Sequence, residues 1–280
     1  MKTTLLLIII FIISVNYSFA DFKKIKKKAI VNNPEIIFPI PKSLEKCMTK
    51  MYIDPQMNLV KPILTVEAPK GYGLDDRFDN ALDKFSNFSH PCGGGNREAC
   101  ENVKRIILEW AKANAAKRTG PSDHEGRHWN DTLTVNLYIA SPMLAAYSFV
   151  KQVVDVPIEE DQIIKKWFMK IVKKNKHLMY DQIYEKNTQA VGVPKRAHNH
   201  ALSSAISHME LGVLLNDEKL FRKAFKNFEA AIKYQRKDGS LPIEVRRGGR
   251  AMFYQGRAMN ALAVIAIIAE NHDFLRLLLS

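Results

Sequence analysis

The chain has 280 residues, and 42 Lys+Arg against 29 Asp+Glu leave a formal net charge of +13. With 46% hydrophobic and 25% charged residues the composition is globular, which excludes wholesale disorder. Thirteen glycines and twelve prolines are too few for collagen-like material, and three cysteines exclude both a disulfide-dense miniprotein and a four-cysteine zinc cage.

Residues 1–20 read as a secretory signal peptide. Lys2 is the charged start, Leu5 to Ile13 is an apolar run too short to span a bilayer comfortably, and Ser18-Phe19-Ala20 offers a small-x-small cleavage site. An uncleaved anchor is the rival reading, since Lys23-Lys24 and Lys26-Lys27-Lys28 follow at once. No later apolar run reaches spanning length, and Ala258 to Ala269 reads as a core helix. The expectation is an exported protein, periplasmic or secreted, with no membrane span after cleavage. Loss of Lys2 lowers the charge from +13 to +12, still strongly basic. Export argues against nucleic acid as the partner, leaving acidic polysaccharide and lipid headgroups. It also permits disulfides: Cys92 can close a local loop with Cys100, or Cys47 can reach Cys100, and one cysteine is left over either way.

Residues 21–73 are rich in proline (Pro34, Pro39, Pro41, Pro55, Pro62, Pro69) and read as an extended arm. From residue 74 onward the pattern is helical. Phe78, Ala81, Leu82 and Phe85 recur at three- and four-residue steps, as do Val103, Ile106, Ile107, Trp110 and Ala111 within Asn96 to Lys117. Further helices are predicted over Trp129 to Val150, Ile158 to Lys174, His198 to Leu215, Asp217 to Arg236 and Ala251 to Ala269. Asp217 suits an N-cap, and Asp238-Gly239-Ser240-Leu241-Pro242 suits a turn. No segment alternates with period two, so the fold class is all-α, with antiparallel helix hairpins forming a bundle, solenoid or toroid.

GxSxG, HExxH, Walker and GxGxxG motifs are absent. His198 and His200 stand about 200° apart on a helix and cannot hold one metal from the same face. Two clusters carry chemistry: Lys195-Arg196-Ala197-His198-Asn199-His200 and Arg246-Arg247-Gly248-Gly249-Arg250-Ala251-Met252-Phe253-Tyr254. Taken singly, each also fits a bland reading, a polar helix start and a solvated basic loop. Taken together they suit β-elimination on a polyuronate. The C5 proton, α to a carboxylate, is hard to remove until that charge is neutralised. Arg, Asn and protonated or hydrogen-bonding His stabilise the developing charge. A tyrosine beside cationic arginine can take the proton and return one to the leaving oxygen.

Asn199-His200 at the head of an apolar helix, followed by Asp238 through Tyr254, resembles the alginate lyases that cleave poly-β-D-mannuronate. The likeness is clearest over residues 195–265 and fainter over Glu98 to Ala115. In that family an Asn-His pair and an Arg-x6-Tyr pair supply catalysis, and Arg247 and Tyr254 have that spacing. The resemblance implies Asn199, His200, Arg247 and Tyr254 as catalytic residues, no metal or other cofactor, an acidic polysaccharide as partner, and an α/α toroid. Arg250 lies within the matched motif as a substrate-binding candidate. Lys70 and Tyr72 are candidates for a lid, and Trp129 and Tyr138 for lining the cleft. Gln255-Gly256 follows Tyr254 where the family usually has His-Asn. Because the chain stops at Ser280, the toroid is expected to be incomplete at its C-terminus, exposing apolar surface on Ala258 to Ile268 and favouring self-association. Two other readings stay open: a non-catalytic polysaccharide-binding or envelope protein, and a lyase for another polyuronate.

Overall fold

The structure is a computed structural model that describes residues 33–40, 60–66, 76–116, 118–119, 135–174 and 192–274. The leader reading of residues 1–20 lies outside them, as do Cys47, Lys70, Tyr72 and Trp129.

The helices follow the apolar periodicity. Helix α1 (Asp76–Gly93) buries Ala81, Phe85 and Phe88. A Gly94-Gly95 turn leads to α2 (Arg97–Lys112), whose N-cap Asn96 accepts a hydrogen bond from the Ala99 N–H at 2.9 Å. Cys92 and Cys100 are joined by a disulfide across this turn, which resolves the choice between the two possible pairings.

Helix α2 ends five residues before the predicted Lys117. Asn114 and Ala116 adopt positive φ (53° and 54°), and the Ala116 N–H donates to the Ile63 carbonyl at 2.7 Å. That turn leads into a two-residue parallel pair, β1 (Thr65–Val66) with β2 (Arg118–Thr119), in register Thr65 to Arg118 and Val66 to Thr119. It is the only extended pairing among the described residues. The Trp110 indole donates to the Val60 carbonyl at 3.1 Å and the Trp167 indole to the Ala115 carbonyl at 2.8 Å, so each buried ring has a partner for its N–H.

The segment predicted as Trp129 to Val150 begins, where described, as a π-helix over Val135–Ala140 and becomes α3 (Ser141–Val153) with Pro142 in its first turn. Helix α4 (Ile158–Lys174) matches its predicted limits. A 3-10 turn over Lys195–Ala197 then opens α5 (Asn199–Leu214), in which all sixteen residues are buried. This helix is the axis of the fold, packed by α3, α4, α6 (Glu218–Tyr234) and α8 (Ala251–Asn271). At the α5–α6 turn a Cβ on Gly212 would stand 2.8 Å from the Phe221 backbone nitrogen, so only glycine allows this approach. Asn227 of α6 reaches across to donate to the Ala201 carbonyl at 3.0 Å. Asp217 caps α6 as expected, accepting from the Leu220 N–H.

Part of the proline-rich arm is bound onto this framework. The Ile37 N–H donates to Ser148 Oγ at 2.7 Å, and the Ile37 carbonyl accepts from Asn271 at 3.1 Å. Glu35 pairs with Lys151 and Lys165, which also hold Asp161.

Two expectations about the last helix need correction. Ala258, Ala261, Leu262, Ile265, Ile268 and Ala269 are buried, so the apolar face expected to lie bare is covered within the chain. The large apolar side chains exposed on α8 are instead Met252 and Phe253, at its beginning. Gly248–Asn271 is also long and apolar enough to cross a membrane by length and composition, contrary to the reading that no later run is. The added length comes from Ala251-Met252-Phe253-Tyr254, which Gln255-Gly256-Arg257 separates from the stretch that begins at Ala258. Its buried face against α5 is what a core helix presents.

Candidate active site

The site forms where the first turn of α5 meets the loop ahead of α8. Pro194 and the 3-10 turn bring His198 into an extended conformation (φ −109°, ψ 163°), and its Nδ1 accepts from the His200 N–H at 3.2 Å. An imidazole thus does the work of an N-cap. The Asn199 N–H donates to Glu244 Oε1 at 2.7 Å, and both residues are buried. A carboxylate at this position meets the positive end of the helix.

Glu244 is held by the turn recognised in the sequence. Gly239 (φ 83°) makes the reversal, Asp238 Oδ1 accepts from the Ser240 N–H at 2.9 Å, and Pro242 begins the short helix α7 (Pro242–Val245). Gln255, where the resembled family usually has His, accepts from the Leu241 N–H at 3.0 Å and so fixes this turn to α8. One helical turn after Glu244, Arg247 places its Nε 3.5 Å from Glu244 Oε2. Gly248 (φ 56°) and a 3-10 turn over Gly248–Arg250 then lead directly into α8.

These connections bring all four predicted catalytic residues together. The Arg247 guanidinium lies 4.0 Å over the Tyr254 ring, and the His200 ring meets Tyr254 edge to face at 6.5 Å. His198 in turn packs edge to face on His200 at 5.7 Å. Asn199 joins the group through Glu244. Its side-chain amide is buried, and neither Oδ1 nor Nδ2 has a hydrogen-bond partner among the described residues. Such capacity costs about 1–3 kcal/mol per group unless something engages it.

Burial, aided by neighbouring His198, Arg247 and Arg257, lowers the His200 pKa to about 2. His200 is therefore a neutral hydrogen-bonding group, which decides between the two states the sequence left open. Burial pushes the Glu244 carboxyl up, opposed by the Asn199 N–H and by Arg247. The permanent positive charge around His200 thus comes from Arg247 and Arg257.

The substrate-binding candidates divide. Arg250 is exposed beside the cluster, and Tyr138 is half-buried on the π-helix with its hydroxyl accepting from Arg257 at 2.8 Å. Lys70, Tyr72 and Trp129 fall outside the described residues. Sequence reasoning missed Glu244 as a site residue, although its place three positions before Arg247 puts both on one turn. It also missed Arg257, for which no motif gave a signal. Among the described residues, no three His, Cys, Asp or Glu side chains gather as a metal site.

The family model described as alginate lyase matches residues 94–276. An alginate lyase of Pseudomonas syringae pv. tomato is 30% identical over 182 residues, and one of Cobetia marina is 28% identical over 181 residues. The aligned region covers 63% of this chain in both cases, but only 43% and 44% of those relatives. Among solved structures, alginate lyase A1-III from Sphingomonas species A1 superposes with a TM-score of 0.64 at 16% identity, covering 92% of this chain and 74% of that one. It shares the all-α, α/α-toroid architecture. With the family model spanning most of the chain, this protein belongs to the alginate lyase family.

Proposed function

We propose that the protein is an exported polysaccharide lyase that cleaves mannuronate-rich alginate by β-elimination. The observation that supports this best is the single cluster of Arg247, His200 and Tyr254, built from two segments 45 or more residues apart, with the buried, unengaged Asn199 amide one position before His200. The Arg247 guanidinium and the Asn199 amide bind the carboxylate of the reacting uronate, and neutral His200 adds a hydrogen bond. Withdrawal of that charge acidifies C5. The Tyr254 oxygen takes the C5 proton, the C4–C5 double bond forms, the C4–O4 bond breaks, and the tyrosine hydroxyl returns a proton to the leaving oxygen. Similar proteins named alginate lyase support the substrate class, and alginate lyase A1-III has been seen complexed with a tetrasaccharide. Export is part of the proposal, and the Cys92–Cys100 disulfide supports an oxidising compartment.

The test is ultraviolet absorbance on mixing with polymannuronate, since elimination conjugates the new double bond with the carboxylate. Absorbance should grow with the wild type. Tyr254→Phe, which loses only the hydroxyl, should lower kcat about 10²–10⁴-fold while the fold and polymer binding persist. Wild-type rates in that variant would remove Tyr254 as acid or base. A wild type that binds polymannuronate without absorbance growth would show a binding protein instead.

A further inference from the structure

The exposed side of α8 carries the site outward. Phe253 is 58% exposed, and its ring lies 5.4 Å from that of Tyr254, edge to face. Four residues on, the Arg257 guanidinium lies 4.8 Å over the same Phe253 ring, while its Nη2 donates to the Tyr138 hydroxyl at 2.8 Å. That bond fixes a side chain on α8 to the π-helix over Val135–Ala140, 119 positions earlier in the chain. Gly256 lies between the two, and a Cβ there would meet nothing within 4 Å, so the surface beside the pair is open. Arg250 and Arg246 are exposed nearby in sequence and add positive charge.

A single exposed aromatic ring is ordinary on a protein surface, and what sets Phe253 apart is its partner. Here the ring is paired with a guanidinium whose orientation a third residue sets, so little rotamer freedom remains to be lost when a ligand arrives. A flat apolar ring beside a fixed planar cation complements one chemical class well: a hexuronate, whose C–H face stacks on the ring while its carboxylate meets the guanidinium. Three residues separate Arg257 from Tyr254, about 4.5 Å along the helix, comparable to the length of one pyranose unit.

We propose that Phe253, Arg257 and Tyr138 form a second uronate-binding subsite that holds the carboxylated sugar adjacent to the one reacting at Tyr254. The inference rests on the lyase reading above and adds to it a determinant of affinity for the polymer. Arg257 binds the neighbouring carboxylate, Phe253 supplies the stacking face, and Tyr138 is a positioning residue that orients Arg257.

The experiment compares the full chain with Arg257→Gln, Arg257→Lys and Phe253→Ala, each checked for helical content by circular dichroism. Steady-state kinetics on polymannuronate and calorimetric binding of mannuronate oligosaccharides are measured at low and high salt. Arg257→Gln should raise KM and Kd about tenfold with a smaller fall in kcat, and should flatten the salt dependence. Arg257→Lys should recover the salt dependence but only part of the affinity, because an ammonium lacks the planar fork. Phe253→Ala should raise Kd several-fold and leave the salt dependence unchanged. Unaltered KM and Kd in Arg257→Gln and Phe253→Ala, with an active wild type, would overturn the subsite alone. So would a Phe253→Ala effect confined to loss of a dimer in sedimentation, which would make this face a contact between copies. A wild type that neither binds nor cleaves would overturn the lyase reading together with the subsite.

Discussion

The neutral state of His200 makes a prediction about stability and pH. Its pKa is about 2 in the folded protein and 6.5 in an unfolded chain. Below pH 6.5 the unfolded chain binds a proton that the native imidazole refuses, so acidification favours unfolding. The stabilisation is fully present above pH 6.5 and declines as pH falls toward 2. Integrating the difference in proton binding gives a loss of about 2 kcal/mol between pH 7.5 and pH 5 from this one group. In His200→Gln the contribution vanishes, since glutamine does not titrate. Urea unfolding followed by circular dichroism, at both pH values and for both proteins, isolates the term as a difference of differences. The wild type should lose about 2 kcal/mol more than the variant over that interval. An equal loss in the two proteins, or a His200 NMR titration centred near its ordinary value, would refute the claim that the site holds this ring neutral.

Three further outcomes follow from buried contacts at Glu244 and at the α5–α6 turn. Glu244→Ala leaves the buried Asn199 N–H without its acceptor and removes the carboxylate beside Arg247, and should destabilise the fold by about 3 kcal/mol in urea titration. Glu244→Gln keeps an acceptor for that N–H and should recover about half the loss, with kcat still reduced because Arg247 is no longer held by charge. Gly212→Ala drives a Cβ to within 2.8 Å of the Phe221 backbone, and the α5–α6 turn must open at a cost of about 1–3 kcal/mol, read as a lower thermal midpoint.

The helices were legible in the sequence because their apolar residues recur with helical period, and α4 begins after Pro157 and ends at Lys174 as expected. Asp217 at an N-cap and the Asp238-Gly239-Ser240 turn depend on local chemistry, and both were readable for that reason. The early end of α2 was not readable. It depends on the Ala116 N–H meeting the carbonyl of Ile63, a partner more than fifty residues away. The π-helix ahead of α3 was likewise invisible, since its apolar residues fit an α pattern equally well. In the site, Arg247 and Tyr254 were visible through their spacing. Glu244 lies within the same matched stretch but carries no signal of its own, because its importance comes from the Asn199 N–H on another segment. Arg257 shows its role only through Tyr138, a contact between distant parts of the chain.

The position of Glu244 explains why two unremarkable dipeptide-sized signals add up to a site. The first turn of α5 presents backbone N–H groups and a positive dipole end, and Arg247 arrives from the opposite side as a cation. Without an anion between them these elements would repel. A single buried carboxylate accepts from Asn199 on one oxygen and faces Arg247 with the other. Burial raises the energy of that ionised carboxylate, and the Asn199 N–H and the Arg247 charge lower it again. The result is a fixed scaffold whose remaining positive character comes from Arg247, with Arg257 further along α8 and neutral His200 alongside. In the proposed reaction the carboxylate of the substrate would meet the Arg247 guanidinium, the unengaged Asn199 amide and a neutral imidazole, with Arg257 adding charge from further along α8. On that reading, donors fixed in a buried setting hold the carboxylate from the outset and gain strength as further charge develops on it when the C5 proton leaves, which is the condition for accelerating proton removal and not only binding.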